Sequence, residues 1–167
     1  IMSKKLASGA DTILLDVKFG SGAFMKNIED AEKLARTMVE IGDELGRDTS
    51  AELTDMDQPL GLAVGNNLEV KEAIDTLHGH GPKDFTALCI ESSAPMLLQA
   101  KVVKTTEEGI ALVKSKIEDG SAFEKFCQFV VSQGGDVSYI RHPEKFDMAS
   151  HIIDVYAEKE GYISRID

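Results

Sequence analysis

The chain has 167 residues, 18 Lys plus Arg against 29 Asp plus Glu and a formal charge of −11, and no cationic cluster offsets that acidity, which argues against a nucleic-acid partner. With 43% hydrophobic and 28% charged residues it reads as globular rather than disordered, and no apolar run approaches the roughly eighteen residues that cross a bilayer. Cys89 and Cys127 lack CxxC spacing and no leader pattern opens the sequence, so the expectation is a cytoplasmic protein with two inert thiols, no membrane partner and no zinc or redox site.

In chain order, residues 2–8 read as the end of a helix stopped by Gly9, and residues 12–17 as a strand. Their continuous apolar run fits a buried, parallel strand. A loop at 19–24 precedes an amphipathic helix that Asn27 can cap, with Asp30 in its first turn and Leu34, Met38, Ile41 and Leu45 as the expected buried stripe. Gly46 ends it. Residues 49–54 form a weaker second strand, followed by the turn-rich Asp55-Met56-Asp57-Gln58-Pro59-Leu60-Gly61. Strand, helix and strand make a βαβ unit whose loops lie at the carboxyl ends of the strands, the edge where ligands bind.

Beyond Gly65 the period turns helical through Leu68, Val70, Ala73, Ile74 and Leu77, and a second helix, about 84–99, is apolar over enough of its circumference to predict burial. Thr106 can start a third. Ser121-Ala122-Phe123-Glu124 predicts a capping box for a fourth, which carries Phe126, Phe129 and Val130 and closes at Gly134-Gly135. Residues 137–146 read as irregular around Pro143, and Ile152, Val155 and Tyr162-Ile163 as short strands that open another domain. Both ends fall inside patterned stretches, so the sequence is expected to be part of a longer chain. The fold class is α/β, a mostly parallel sheet with flanking helices.

Several residues are candidates for chemistry, each beside a plainer reading. Gly20-Ser21-Gly22 follows a strand and precedes a helix, where backbone can approach a ligand, although a tight turn explains the same spacing. Phe24 suits a stacking surface or a core plug. Lys4 or Lys5 can hold a developing anion as a point charge, or merely solvate a helix. Asp55-Met56-Asp57 lacks the oxygens a divalent cation needs. Carbonyls near Leu60 and Ala63, with Glu72, could instead hold a monovalent ion, the alternative being that Glu72 is a solvated helix residue. His78 and His80 lack a second ligand pair, and His142 and His151 lack a readable partner.

Five blocks together carry a family likeness: Ile1-Met2-Ser3-Lys4-Lys5, Leu15-Asp16-Val17-Lys18, Gly20-Ser21-Gly22-Ala23-Phe24-Met25, Met38-Val39-Glu40-Ile41-Gly42 and Thr54-Asp55-Met56-Asp57-Gln58-Pro59-Leu60-Gly61. With Ala63-Val64-Gly65-Asn66 and Leu68-Glu69-Val70-Lys71-Glu72-Ala73, they resemble the pyrimidine-nucleoside and thymidine phosphorylases. The likeness is close to about residue 82, looser to about 135 and faint beyond.

The resemblance implies homodimers with a small helical domain and a large α/β domain. On that scheme residues 1–9 end the helical domain, 10–150 form the central part of the α/β domain, and 151–167 begin a C-terminal domain. It implies phosphorolysis of uridine or thymidine to free base and a pentose 1-phosphate, with phosphate as co-substrate. By position, Lys4 matches the lysine at the pyrimidine ring and Phe24 a residue packing beside it. The Leu60 and Ala63 carbonyls with the Glu72 carboxylate match a potassium site. The family's phosphate loop, a Ser-Thr-Gly-Gly stretch preceded by a lysine and a histidine, is absent, and its base-binding serine would precede Ile1. No catalytic residue is therefore assigned within this chain, which by itself is expected to be inactive, and Gly20-Ser21-Gly22 is not expected to replace the missing loop. Phe19 stands where many relatives carry threonine or valine. Competing readings are a phosphoribosyltransferase of related fold, a non-catalytic acidic α/β binding module and, more weakly, a response-regulator receiver.

Overall fold

The computed structural model describes residues 1–164 and 166. Helix α1 (Met2–Ala7) leads into strand β1 (Thr12–Phe19), helix α2 (Ile28–Glu44) and strand β2 (Asp48–Asp55). The strands pair in parallel from Thr12 opposite Asp48 to Phe19 opposite Asp55, which is the expected βαβ unit. Ile13, Leu15 and Val17 point to one face and are buried with Met2, Ala31, Ala35 and Met38. At about 25 cal/mol per Å² of apolar surface removed from water, this shared face is the chief stabiliser of the half.

Asn27 caps α2, its side chain accepting from the Asp30 amide at 2.8 Å. Of the expected stripe of α2, Met38 is buried and Leu34 packs against the core, whereas Ile41 and Leu45 are exposed and Ala31, Ala35 and Gly42 are inside in their place. Small side chains let the helix approach the sheet closely, and a Cβ on Gly42 would overlap the Thr49 side chain. Close approach selected the face that the largest side chains did not.

The other sheet face is polar. Thr54 donates to Asp16, Lys18 pairs with Asp16 at 2.6 Å, and Glu52 accepts from Ser92 on α4 at 2.6 Å. Helix α4 (Lys83–Gln99) lies against this face, so the two strands run between α2 and α4. Beyond β2 the remaining helices are α3 (Asn66–Leu77), α5 (Thr106–Glu118), α6 (Ser121–Ser132) and the short α7 (Ser138–Arg141).

Three expectations are corrected in this half. Only Ala94 of α4 is buried: one flank, with Phe85, Cys89 and Met96, faces a cavity, and Leu98 is exposed. The capping box at Ser121 does not form: Glu124 is taken by Arg141 in a two-pronged ion pair of 2.9 and 2.7 Å, and Asp119 accepts the Ser121 amide at 2.8 Å instead. Residues 137–146 are not irregular, since α7 and a 3₁₀ turn (Pro143–Lys145) occupy them.

A second, smaller core joins Ile74, Phe123, Cys127 and Ile140. Cys127 is buried, Cys89 is half-buried, and neither is bonded to another cysteine. The expected short strands at Ile152, Val155 and Tyr162-Ile163 do not form: residues 151–164 hold no helix or strand and are exposed, since they meet no sheet edge to pair with. Arg165 and Asp167, the remainder of the segment assigned to a C-terminal domain, lie outside the described residues. No helix among the described residues is long and apolar enough to cross a membrane.

Candidate functional site

The carboxyl ends of β1 and β2 carry two loops that meet. Met56 donates its amide to Phe19 O at 2.7 Å, Gly22 donates to Met56 O at 3.1 Å, and Ser21 donates to Asp57 Oδ1 at 2.7 Å. Gly20 permits this approach: its φ is +115°, and a Cβ there would sit 2.8 Å from Asp57 Oδ1. A cleft of about 300 Å³ runs between the loops, lined by Ser21, Gly22, Met56, Asp57, Gln58 and Pro59.

The amides of the first loop are already spent. Gly20 donates to Met25 O at 2.9 Å and Ala23 to Gly20 O at 3.1 Å, in addition to the bonds from Ser21 and Gly22. An anion cradle needs free N–H groups. Gly20-Ser21-Gly22 is therefore a clamp between loops, its amides engaged within the protein. Asp55 and Asp57 also have structural tasks, Asp55 accepting the Asp57 amide at 2.8 Å.

Phe24 stands at the tip of this loop with its side chain 98% exposed, while its neighbour Ala23 is buried. The core-plug reading fails for Phe24, and an exposed aromatic face remains. Lys4 and Lys5 are both exposed on α1, which Met2 and Leu6 anchor to the core. The structure sets Lys4 and Phe24 on separate elements.

Glu72, by contrast, is brought to the loop that carries Leu60 and Ala63. From α3 its Oε1 accepts the amides of Leu62 at 2.9 Å and Ala63 at 3.0 Å. Gly61, at φ +72°, lies against the same carboxylate, and a Cβ there would overlap it. The Gly61 amide donates to Asp84 at 3.0 Å, and that bond, with one from the Phe85 amide, holds the Asp84 carboxyl below its usual range. Two acids on two helices thus pin one short turn.

Among the described residues, neither the Leu60 nor the Ala63 carbonyl accepts a hydrogen bond, so both keep their lone pairs. Two uncommitted carbonyls on the turn and one carboxylate reaching it from α3 are hard, weakly charged donors, which fit a monovalent cation better than a divalent one. No group of three His, Cys, Asp or Glu side chains suited to a metal occurs among the described residues.

A larger apolar cavity, about 670 Å³, opens between α3, α4, α5 and α6 and is lined by Leu77, Phe85, Cys89, Met96, Leu112 and Phe126, among others. It holds no acid–base pair, and burial pushes the Cys89 thiol up, away from the reactive thiolate. His78 rests on the Phe123 ring with centroids 4.3 Å apart, His142 lies 3.3 Å from Glu144, and neither lines the inter-loop cleft. Sequence reasoning missed Lys26 and Asp84, and it weighed Asp57 only as part of a metal pair, not as the partner of Ser21. Ser21 and Asp57 are 36 positions apart, and no local pattern marks such a pair.

Residues 1–123 match the family described as glycosyl transferase family, a/b domain. The chain is also similar to proteins named pyrimidine-nucleoside phosphorylase from Staphylococcus aureus strains bovine RF122 / ET3-1, USA300 and NCTC 8325. Each is 52% identical over 166 residues, covering 99% of this chain and 38% of the relative. The chain therefore spans well under half the length of the curated relatives it matches.

Proposed function

Because this chain belongs to the glycosyl transferase family defined by that a/b domain, we propose that it is part of a pyrimidine-nucleoside phosphorylase, exchanging the pyrimidine of uridine or thymidine for phosphate. The observation that carries this reading is 52% identity over 99% of the chain to proteins of that name. The geometry supports it: an exposed aromatic ring, a pinned turn with free carbonyls and an inter-loop cleft share the ligand-binding edge of a βαβ unit.

In this reading Phe24 offers its ring as a packing face for the base. Lys4 supplies a fixed positive charge. As the bond to the sugar breaks, the pyrimidine gathers negative charge and the anomeric carbon becomes cationic, so an ammonium held at the ring lowers the barrier. Leu60, Ala63 and Glu72 would hold potassium, which supplies positive charge that ties the turn together. Phosphate must be positioned by residues other than those of the Gly20 loop, whose amides are engaged. Accordingly, the 167 residues by themselves are proposed to be inactive, and the working enzyme to be a cytoplasmic homodimer in which residues 1–9, 10–150 and 151–167 fall to three successive domains.

The deciding experiment is phosphate-dependent base release from uridine and from thymidine, by the full reading frame that contains these residues, with and without potassium. Release from either nucleoside, falling when potassium is withdrawn, is the expected result. No release from either by a folded protein overturns the reading, and activity that requires phosphoribosyl pyrophosphate and magnesium moves it to the transferase. Base release by the isolated 167 residues overturns their proposed inactivity.

A further inference from the structure

Phe24 presents an apolar ring to water on a loop of small residues, yet the loop around it is held at five points. Ser21 and Gly22 donate across to Asp57 and Met56 at 2.7 and 3.1 Å, and Gly20 donates to Met25 O at 2.9 Å. From below, Lys26 Nζ donates to the carbonyls of Ser21 at 2.9 Å and Ala23 at 2.7 Å. The inter-loop link from Asp57 is the one made by a side chain, and it is charge-assisted, the stronger class of hydrogen bond. Ala23 is buried beneath while Phe24 projects outward, so the clamp sets the direction of the ring.

We propose that Asp57, together with Lys26, is a positioning residue that locks the Phe24 loop to the loop following β2 and holds the aromatic ring ready for a planar pyrimidine base. The proposal rests on the phosphorylase reading for the identity of the base. Its physical ground is preorganisation. A ring on a free loop loses conformational freedom when it packs against a ligand, whereas a ring on a clamped loop has lost it on folding, and base binding then costs less. Because all four amides from Gly20 to Ala23 are committed, the loop meets the base through its aromatic face rather than its backbone. Asp57 also belongs to the loop that continues to Leu60 and Ala63, so the loop that clamps the aromatic platform also carries the turn proposed to hold the cation.

The test compares Asp57→Ala, Asp57→Asn and Lys26→Met in the full reading frame. Hydrogen exchange over residues 19–25, the Kd for free uracil and the separate KM values for nucleoside and phosphate are read. Asp57→Ala is expected to speed exchange of the loop and to weaken uracil binding by about threefold to tenfold, the net scale of one ordinary, solvent-exposed hydrogen bond. The nucleoside KM should rise in step while the phosphate KM holds. Asp57→Asn, which keeps an acceptor oxygen, should recover most of both changes, and Lys26→Met should give a weaker version of the alanine result. Unchanged exchange in Asp57→Ala overturns the clamp, and faster exchange with unmoved uracil Kd and nucleoside KM overturns the positioning role. If Asp57→Ala fails to fold, the Lys26→Met measurements decide on the same criteria. Absence of both base release and uracil binding in the unsubstituted protein sinks the phosphorylase reading and this one together.

Discussion

Residues 1–65 gather seven buried apolar side chains around one sheet face, whereas residues 66–146 gather four and leave a cavity of about 670 Å³ among their helices. The difference follows from geometry. A helix laid on a parallel strand pair through Ala31, Ala35 and Gly42 closes down to contact distance, while four helices meeting through Leu, Met and Phe side chains leave gaps at their crossings. The tightly packed half also carries the pinned loops. The proposed binding edge is thus built on the more closely packed part of the molecule, as a preorganised site requires.

The strongest way to break this contrast is a paired truncation. Leu15→Ala, in the sheet core, is expected to cost about 2–5 kcal/mol in chemical unfolding. Met96→Ala, on the cavity wall and 52% exposed, should cost less than about 1 kcal/mol. Equal losses would mean that the helical half is as tightly packed as the sheet.

Gly61→Ala probes the pinned turn. A left-handed alanine costs about 1–2 kcal/mol, and its methyl would push on Glu72, so the turn and the potassium response of base release should suffer together. Retained potassium response would separate the turn from the cation. A smaller effect is expected at the start of α2, where Asn27→Ala removes a cap worth about 1 kcal/mol and Asn27→Asp should largely restore the melting temperature.

The smallest expected effect lies in the helical half. Asp119 is held at about 2, chiefly by the Lys116 side chain and then by Ser121. A carboxyl depressed in the folded state contributes stability above the ordinary carboxylate range, lost as pH falls through that range toward 2. Asp119→Asn should therefore flatten the melting profile slightly between about pH 4 and pH 2. An unchanged profile would show that this exposed pair is silent.

Sequence by itself determined the elements whose signals are local. The apolar run at Ile13 to Val17 became a parallel strand, Asn27 became a cap, and glycines at 9, 46 and 134 closed helices, because period, capping chemistry and positive φ are properties of a few neighbouring residues. It also singled out Leu60, Ala63 and Glu72, and the fold brings the Glu72 carboxylate from α3 to the amides of Leu62 and Ala63 on the turn that carries the other two. Tertiary structure decided what depends on competition between distant groups. Arg141 drew Glu124 out of a capping box, Thr49 selected Gly42 over Ile41 for the buried side of α2, and Asp57 consumed an amide that an anion site would have needed. Each outcome turned on a partner many positions away, and a hydrogen bond or a close contact belongs to whichever group the fold delivers within reach.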